Sequence, residues 1–334
     1  MKRDFIAFSG LLLAVHFTVL ADDAQSGLTP VIPERPEFGQ YLARLQQQAT
    51  PLGFEPQWLS QQFADVKRFK KASPVSSSSD NQSARTLEDF LPNRFSQSEI
   101  DAATKVLQQH DALLQQLQQQ YGIQPRFLVA FWAVAGGLSK ADNAYPLLSV
   151  TSSLAYEGEL AEDEVIAALQ LLQNEQFDER GLVAQRDASI AGSGFSPSQL
   201  IRYGKDGDGD GVIDHQHSVA DILASYAYFL SKHGWSDGQI WGRQVTVPAN
   251  FSGQSGIEYK ADFEYWQNAG IRRFNGEDLP RRADIQASLL QPDGRKGRAY
   301  LVYDNYRALL AWQNDHYFAL SVSYLSERIK ASHR

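Results

Sequence analysis

Between Pro125 and Gly136 the chain runs Phe127, Leu128, Val129, Ala130, Phe131, Trp132, Ala133, Val134, an unbroken apolar segment. Proline suits the first turn of a helix, and the Gly136–Gly137 pair disfavours carrying the helix further. A helix that is apolar on every side has no face to offer water, so other elements must enclose it. This one segment therefore demands a substantial core around it. A chain of 334 residues, 43% of them hydrophobic, is long enough to supply that core in one large domain or two interlocked lobes.

The patterning around the segment is mostly helical. Ser96 and Glu99 have capping-box spacing, and Ile100, Ala103, Leu107, Leu114, Leu117 and Tyr121 then recur at helical intervals until Gly122. This reads as one helix whose glutamines form the solvated face. Helices are also expected from Phe38, over Trp58–Phe63, Asp163–Gln173, Val219–His233, Phe263–Ala269 and Asp315–Arg328. Strand-like pieces fall at Gln244–Val247, Ala287–Leu290 and Ala299–Tyr303. The polar run Ser73–Arg85 is expected to be a surface loop. The fold class is mainly α (α+β), with a small β element in the C-terminal third.

The first residues have the pattern of a secretory signal: Lys2 and Arg3, an apolar stretch from Leu11, and Ala21 before Asp22 as the cleavage point. Residues 1–21 are thus expected to be removed, with a flexible lead-in over 22–36. The apolar stretch is too short for a comfortable membrane span. The absence of cysteine excludes a lipid-modified N-terminus, disulfides and thiol chemistry. With net charge -8 and no Lys/Arg-rich face, a nucleic-acid partner is not expected. A periplasmic protein without a transmembrane span in its mature form is the simplest reading.

Several long motifs, in order, resemble the lytic murein transglycosylase B family. They are YGIQPRFLVAFWAV (121–134), SLAYEG (153–158), YFLSKHGW (228–235), IWGRQVTVP (240–248), ASLLQPDG (287–294) and YLVYDNYRALLAWQNDHYFALSV (300–322). The resemblance covers about Phe38 to Ile329. It implies a domain over 37–330, with a lysozyme-like helical lobe carrying a saccharide cleft at about 90–235 and a smaller β-containing lobe at about 240–305. It also implies cleavage of the bond between N-acetylmuramic acid and N-acetylglucosamine in peptidoglycan, with a 1,6-anhydro product. One glutamate serves as acid and then base, and no cofactor takes part in the chemistry.

That glutamate is missing. In the resemblance it falls at the end of the buried helix, on Ala135, where a methyl group has no proton to give. Positioned acid–base catalysis is worth about 10²–10⁴-fold. Gly194 stands at a sugar-contacting glutamine, and Glu159 and Leu160 replace an arginine pair. Phe195, Tyr228 and Asn305 match family positions that line the cleft or lie near the reacting sugar, and are the substrate-binding candidates.

The segment Asp206–His217, DGDGDGVIDHQH, resembles a calcium loop. Asp206, Asp208 and Asp210 hold positions one, three and five, Gly211 makes the turn, Val212 offers a carbonyl and Asp214 reaches the ion directly or through water. His217 at position twelve is a poor ligand for a hard cation, leaving Asp221 or water to substitute. The loop is a candidate structural calcium site.

Three functions fit these residues. The first is a pseudoenzyme that binds glycan strands or a cell-wall synthesis protein. The second is an active enzyme with a relocated acid, for which Asp142, Glu157 and Glu159 are nearest in sequence. The third is a protein scaffold presenting the acidic group Glu157, Glu159, Glu162, Asp163 and Glu164 to a basic partner.

Overall fold

A computed structural model describes residues 36–73, 86–136, 144–177 and 182–332. The signal and nearly all of the lead-in lie outside these residues, as do the expected loop from residue 74 to 85 and Asp142. From Phe38 onward the chain gathers into one compact unit.

The unit is mainly helical: α1 (Phe38–Ala49), α2 (Pro56–Ala64), α3 (Leu87–Arg94), α4 (Gln97–Gln109), α5 (Asp111–Tyr121), α6 (Pro125–Ala135), α7 (Leu147–Glu157), α8 (Glu162–Gln173), α9 (Pro197–Tyr203), α10 (Val219–Lys232), α11 (Phe263–Asn268), α12 (Asp304–Leu310) and α13 (His316–Ser332). The pair β1 (Tyr145–Pro146) and β2 (Val183–Ala184) forms a small antiparallel ladder. The strands β3 (Gly242–Thr246), β4 (Ala261–Asp262), β5 (Arg272–Arg273), β6 (Gln286–Leu290) and β7 (Ala299–Val302) form an antiparallel sheet in the order β4-β6-β7-β3-β5.

The all-apolar segment is α6, and every residue from Arg126 to Trp132 is buried. It is enclosed by α13, α10, α4 and α5. Phe131 alone meets Tyr226, Phe229, Trp312 and Phe318 edge-on or tilted. A second, smaller core forms around the sheet, with Trp266, Ile271, Leu289 and Leu301 at its centre.

The Ser96 capping box is present, but the helix it starts is not continuous. It breaks at His110, whose backbone leaves helical geometry at φ -112°, ψ 24°. The apolar spacing runs through the break in phase, so periodicity gave no sign of it.

Helix α7 escaped the pattern reading because its core face carries Ser149, Thr151, Ser152 and Ser153, all buried. Burial of three of these hydroxyls, on Ser149, Thr151 and Ser153, is tolerated through hydrogen bonds. Thr151 donates to the carbonyl of Leu147 at 2.9 Å, and Ser153 donates to that of Ser149 at 2.6 Å. Ser149 and Ser153 also accept the backbone N–H groups of Lys67 and Phe69.

Candidate functional site

Ala135 closes α6, and Gly136 follows at φ +125°. The loop Ile190–Phe195 folds back over this helix end. Trp132 on α6 fixes it by donating from Nε1 to the carbonyl of Gly192 at 2.9 Å. Gly194 then passes so close that a Cβ on it would lie 2.4 Å from the carbonyl oxygen of Ala135. At φ +72° and in that contact, the backbone has no room for a side chain at residue 194.

Above this contact lies a cavity of about 220 Å3. Val134, Ala135 and Gly194 form one part of its lining, and Phe90, Trp312 and Phe318 provide apolar surface. Arg94, Gln185, Asp187, Ser189 and Gln313 supply polar groups. An apolar wall with a few convergent polar groups is the usual composition of a small-molecule site.

Asp187 is the one carboxylate of that lining among the described residues, and sequence reasoning missed it. It lies 52 positions beyond Ala135 and reaches the cavity only because the turn Gln185–Ser189 brings it there. Its Oδ1 accepts the Ser189 N–H at 3.0 Å and the Ser189 hydroxyl at 2.6 Å. The next residue, Ala188, is held in the left-handed region at φ 67°. Such strain in a residue with a Cβ costs roughly 1–3 kcal/mol and tends to gather at functional positions.

The acids singled out by sequence proximity are placed differently. Glu157 pairs with Arg68, and Glu159 is exposed; neither lines the cavity. Leu160 packs against the main core. The supposed acidic patch is also largely occupied, since Glu162 pairs with Arg44 and Glu164 accepts from Ser196 and Ser198.

Two of the three substrate-binding candidates, Phe195 and Asn305, need correction. Phe195 is fully buried, stacked on Tyr226 at 5.1 Å and edge-on to Trp312 at 4.9 Å. It supports the ring that lines the cavity, Trp312, and has no face for a sugar. Asn305 is also fully buried, and both donors and the oxygen of its amide are engaged. Its Oδ1 accepts the Ser236 N–H at 2.7 Å, and its Nδ2 donates to the carbonyls of Ser236 and Gln239, each at 3.0 Å. It clamps the link between α10 and β3. Tyr228 is half-buried and lies outside the cavity lining, with Lys205 Nζ 4.1 Å and Lys232 Nζ 5.1 Å from its ring centre.

In the Asp206–His217 loop, Asp206, Asp208 and Asp210 offer oxygens that all lie within 4.8 Å of one another. Backbone amides of Gly209 and Gly211 donate to Asp206 and hold its carboxyl below the usual range. This donor set fits a hard cation. Asp214 turns away, accepting from the backbone of Gln216 and His217 and from His217 Nδ1 at 2.8 Å. Asp221 is not a substitute ligand. It is buried, and its two oxygens accept the N–H groups of Gly207 and Asp214 at 2.8 and 2.7 Å, tying the loop's two ends together. Burial is the main cause raising its pKa.

The loop is linked to the cavity. His215 is buried, its ring bonded to Ser193 Oγ at 2.9 Å and Ser225 Oγ at 2.8 Å. Ser193 immediately precedes Gly194, so one histidine joins the acidic loop to the segment that covers the end of α6.

A helical lobe with a cavity at the end of its central buried helix, beside a small antiparallel sheet, is the lysozyme-like architecture of lytic transglycosylases. A profile described as "Transglycosylase SLT domain" matches residues 37–327, and the chain belongs to that family. SltB3 from Pseudomonas aeruginosa, solved in complex with NAG-anhNAM-pentapeptide, is 28% identical with TM-score 0.79, over 89% of this chain and 80% of that one. Escherichia coli Slt35, solved in complex with calcium, is 20% identical with TM-score 0.72, over 90% and 94%. SltB1 from P. aeruginosa is 18% identical with TM-score 0.73, over 90% and 98%. Comparison with curated proteins finds no match.

Proposed function

We propose that this chain is a periplasmic peptidoglycan-binding member of the family that has lost the bond-cleaving acid. The carrying observation is the Ala135 methyl at the cavity, where the family resemblance expects a glutamate. The reaction needs a carboxyl group to protonate the glycosidic oxygen as its bond to C1 breaks. The resulting carboxylate then takes the proton of the C6 hydroxyl as that oxygen bonds to C1. A methyl group does neither. Trp312 still offers a ring, and Arg94, Gln185 and Gln313 still offer donors to sugar hydroxyl and acetamido groups. SltB3 was solved with a NAG-anhNAM-pentapeptide, which supports a ligand of that class here.

Secretion through residues 1–21 would deliver the protein to this ligand, and no helix among the described residues is long and apolar enough to cross a membrane. A calcium ion held by Asp206, Asp208 and Asp210 would serve structure by offsetting two of the three negative charges gathered there. The test of function is incubation with purified sacculi. The protein should sediment with them and release no anhydromuropeptides above background. Release by the wild-type chain overturns the proposal. Retention of a periplasmic protein, with sacculi ignored, would favour the scaffold reading instead.

One observation favours a second reading, in which the acid has been relocated. Asp187 lies in the same lining, with Ser189 holding one oxygen and no hydrogen bond to the other among the described residues. On this reading Asp187 performs both proton transfers. Any wild-type activity should then vanish in Asp187→Asn while sacculus binding persists; activity that survives the substitution ends this reading.

A further inference from the structure

A second cavity, of about 390 Å3, lies between the sheet and α13. It shares no lining residue with the Ala135 cavity. Helix α13 stands between them, with Phe318 and Ser321 lining the first and Leu320 and Tyr324 lining the second. Cavities of roughly 300–1,000 Å3 commonly hold small ligands, and junctions between packed units are favoured places for them.

Trp241, Tyr300 and Tyr324 give this cavity aromatic walls. Trp241 is buried, and its Nε1–H has no acceptor among the described residues. A buried indole N–H normally finds a partner, so an unpaired one at a cavity wall calls for an acceptor brought from outside.

The charges point the same way. Three carboxylates near the cavity are committed, Asp293 by accepting the Leu87 N–H at 2.6 Å and the Tyr317 hydroxyl at 2.7 Å. Glu327 pairs with Arg126 at 2.6 Å, and Glu88 takes both arms of Arg298 at 2.6 and 3.0 Å. Arg243 donates to the Tyr303 hydroxyl and lies against the rings of Phe263 and Tyr303. Those rings belong to the second core, so the Arg243 guanidinium faces away from this cavity, whereas Lys330 in the lining has no carboxylate partner among the described residues. The cavity therefore carries uncompensated positive charge beside aromatic surface.

We propose that this cavity binds a small carboxylate-bearing ligand, its body against Tyr300 and Tyr324 and its carboxylate held by Lys330 and the Trp241 indole N–H. Two sources supply that chemistry, the free C-terminus of a short peptide and the carboxylate of a sugar acid. The inference does not depend on what the Ala135 cavity does.

Isothermal titration calorimetry of the full chain tests it with four probes: alanyl-alanine, its C-terminal amide, N-acetylmuramic acid and neutral N-acetylglucosamine. At least one acid should bind and its neutral counterpart should not. Binding of the dipeptide alone assigns a peptide ligand, and of N-acetylmuramic acid alone a sugar acid. Lys330 is exposed at the end of α13, so Lys330→Glu should fold normally, as checked by circular dichroism, and bind the acid about tenfold more weakly. Trp241→Phe keeps the ring and removes the donor, and should weaken binding several-fold. Failure of both acids to bind, equal binding of acid and neutral probes, or unchanged affinity in both variants overturns the proposal. Sacculus sedimentation reads the other cavity separately.

Discussion

Replacing Gly194 by alanine tests the most specific geometric feature of the site. At φ +72° the left-handed conformation costs a residue with a Cβ roughly 1–2 kcal/mol. The new Cβ would also stand 2.4 Å from the carbonyl oxygen of Ala135 and 3.7 Å from its Cβ. That oxygen belongs to the end of a buried helix and has no freedom to swing aside, so the loop must lift away. Such overpacking typically costs about 1–3 kcal/mol, giving a total of about 2–5 kcal/mol. Gly158→Ala provides the control. Its φ is +81°, and nothing lies within 4 Å of its added Cβ, so only the conformational cost applies. Urea denaturation of both variants should separate them by the contact contribution, about 1–3 kcal/mol. Gly194→Ala should also sediment less with sacculi, because the loop that must lift lines the cavity. Equal destabilisation of the two variants would refute the account of a loop pressed onto the helix end.

Four further outcomes are expected. Burial holds the His215 pKa down from 6.5 to about 3, so the unfolded chain takes up its proton first on acidification. Its stabilising contribution is complete above pH 6.5 and declines by about 1.4 kcal/mol per unit as the pH falls toward 3; urea midpoints against pH should flatten in His215→Asn. Asp221→Asn leaves one acceptor oxygen for two backbone donors, so urea denaturation should register a loss of about 1–3 kcal/mol. Phe195→Ala should cost about 3–5 kcal/mol as a cavity in the aromatic core, and a loss of sacculus binding at unchanged stability would restore this ring to the ligand. Calcium should raise the melting temperature of the wild-type chain but not of an Asp208→Asn, Asp210→Asn double variant, with calorimetry reading the ion directly.

Much of the chain was legible because local chemistry specifies it. The capping box at Ser96, the apolar α6 and the three longer strands all depend on residue type and spacing. The acidic loop was readable for the same reason, since its first three carboxylates come from alternate residues of one turn. Helix α7 was not, because serine and threonine look like surface residues until their hydroxyls find carbonyls one turn back. The break at His110 leaves no trace in a pattern that stays in phase across it.

The sequence by itself determined that a helical core must close around α6, and that Ala135 places no carboxyl at that helix's end. Only the tertiary structure decided what surrounds Ala135. Phe195 and Asn305 became internal supports, because their side chains meet partners distant in the chain, while Trp312 and Asp187 arrived at the cavity from separate elements. A residue's type limits what it can bond, but its neighbours across space decide which of those bonds are already taken.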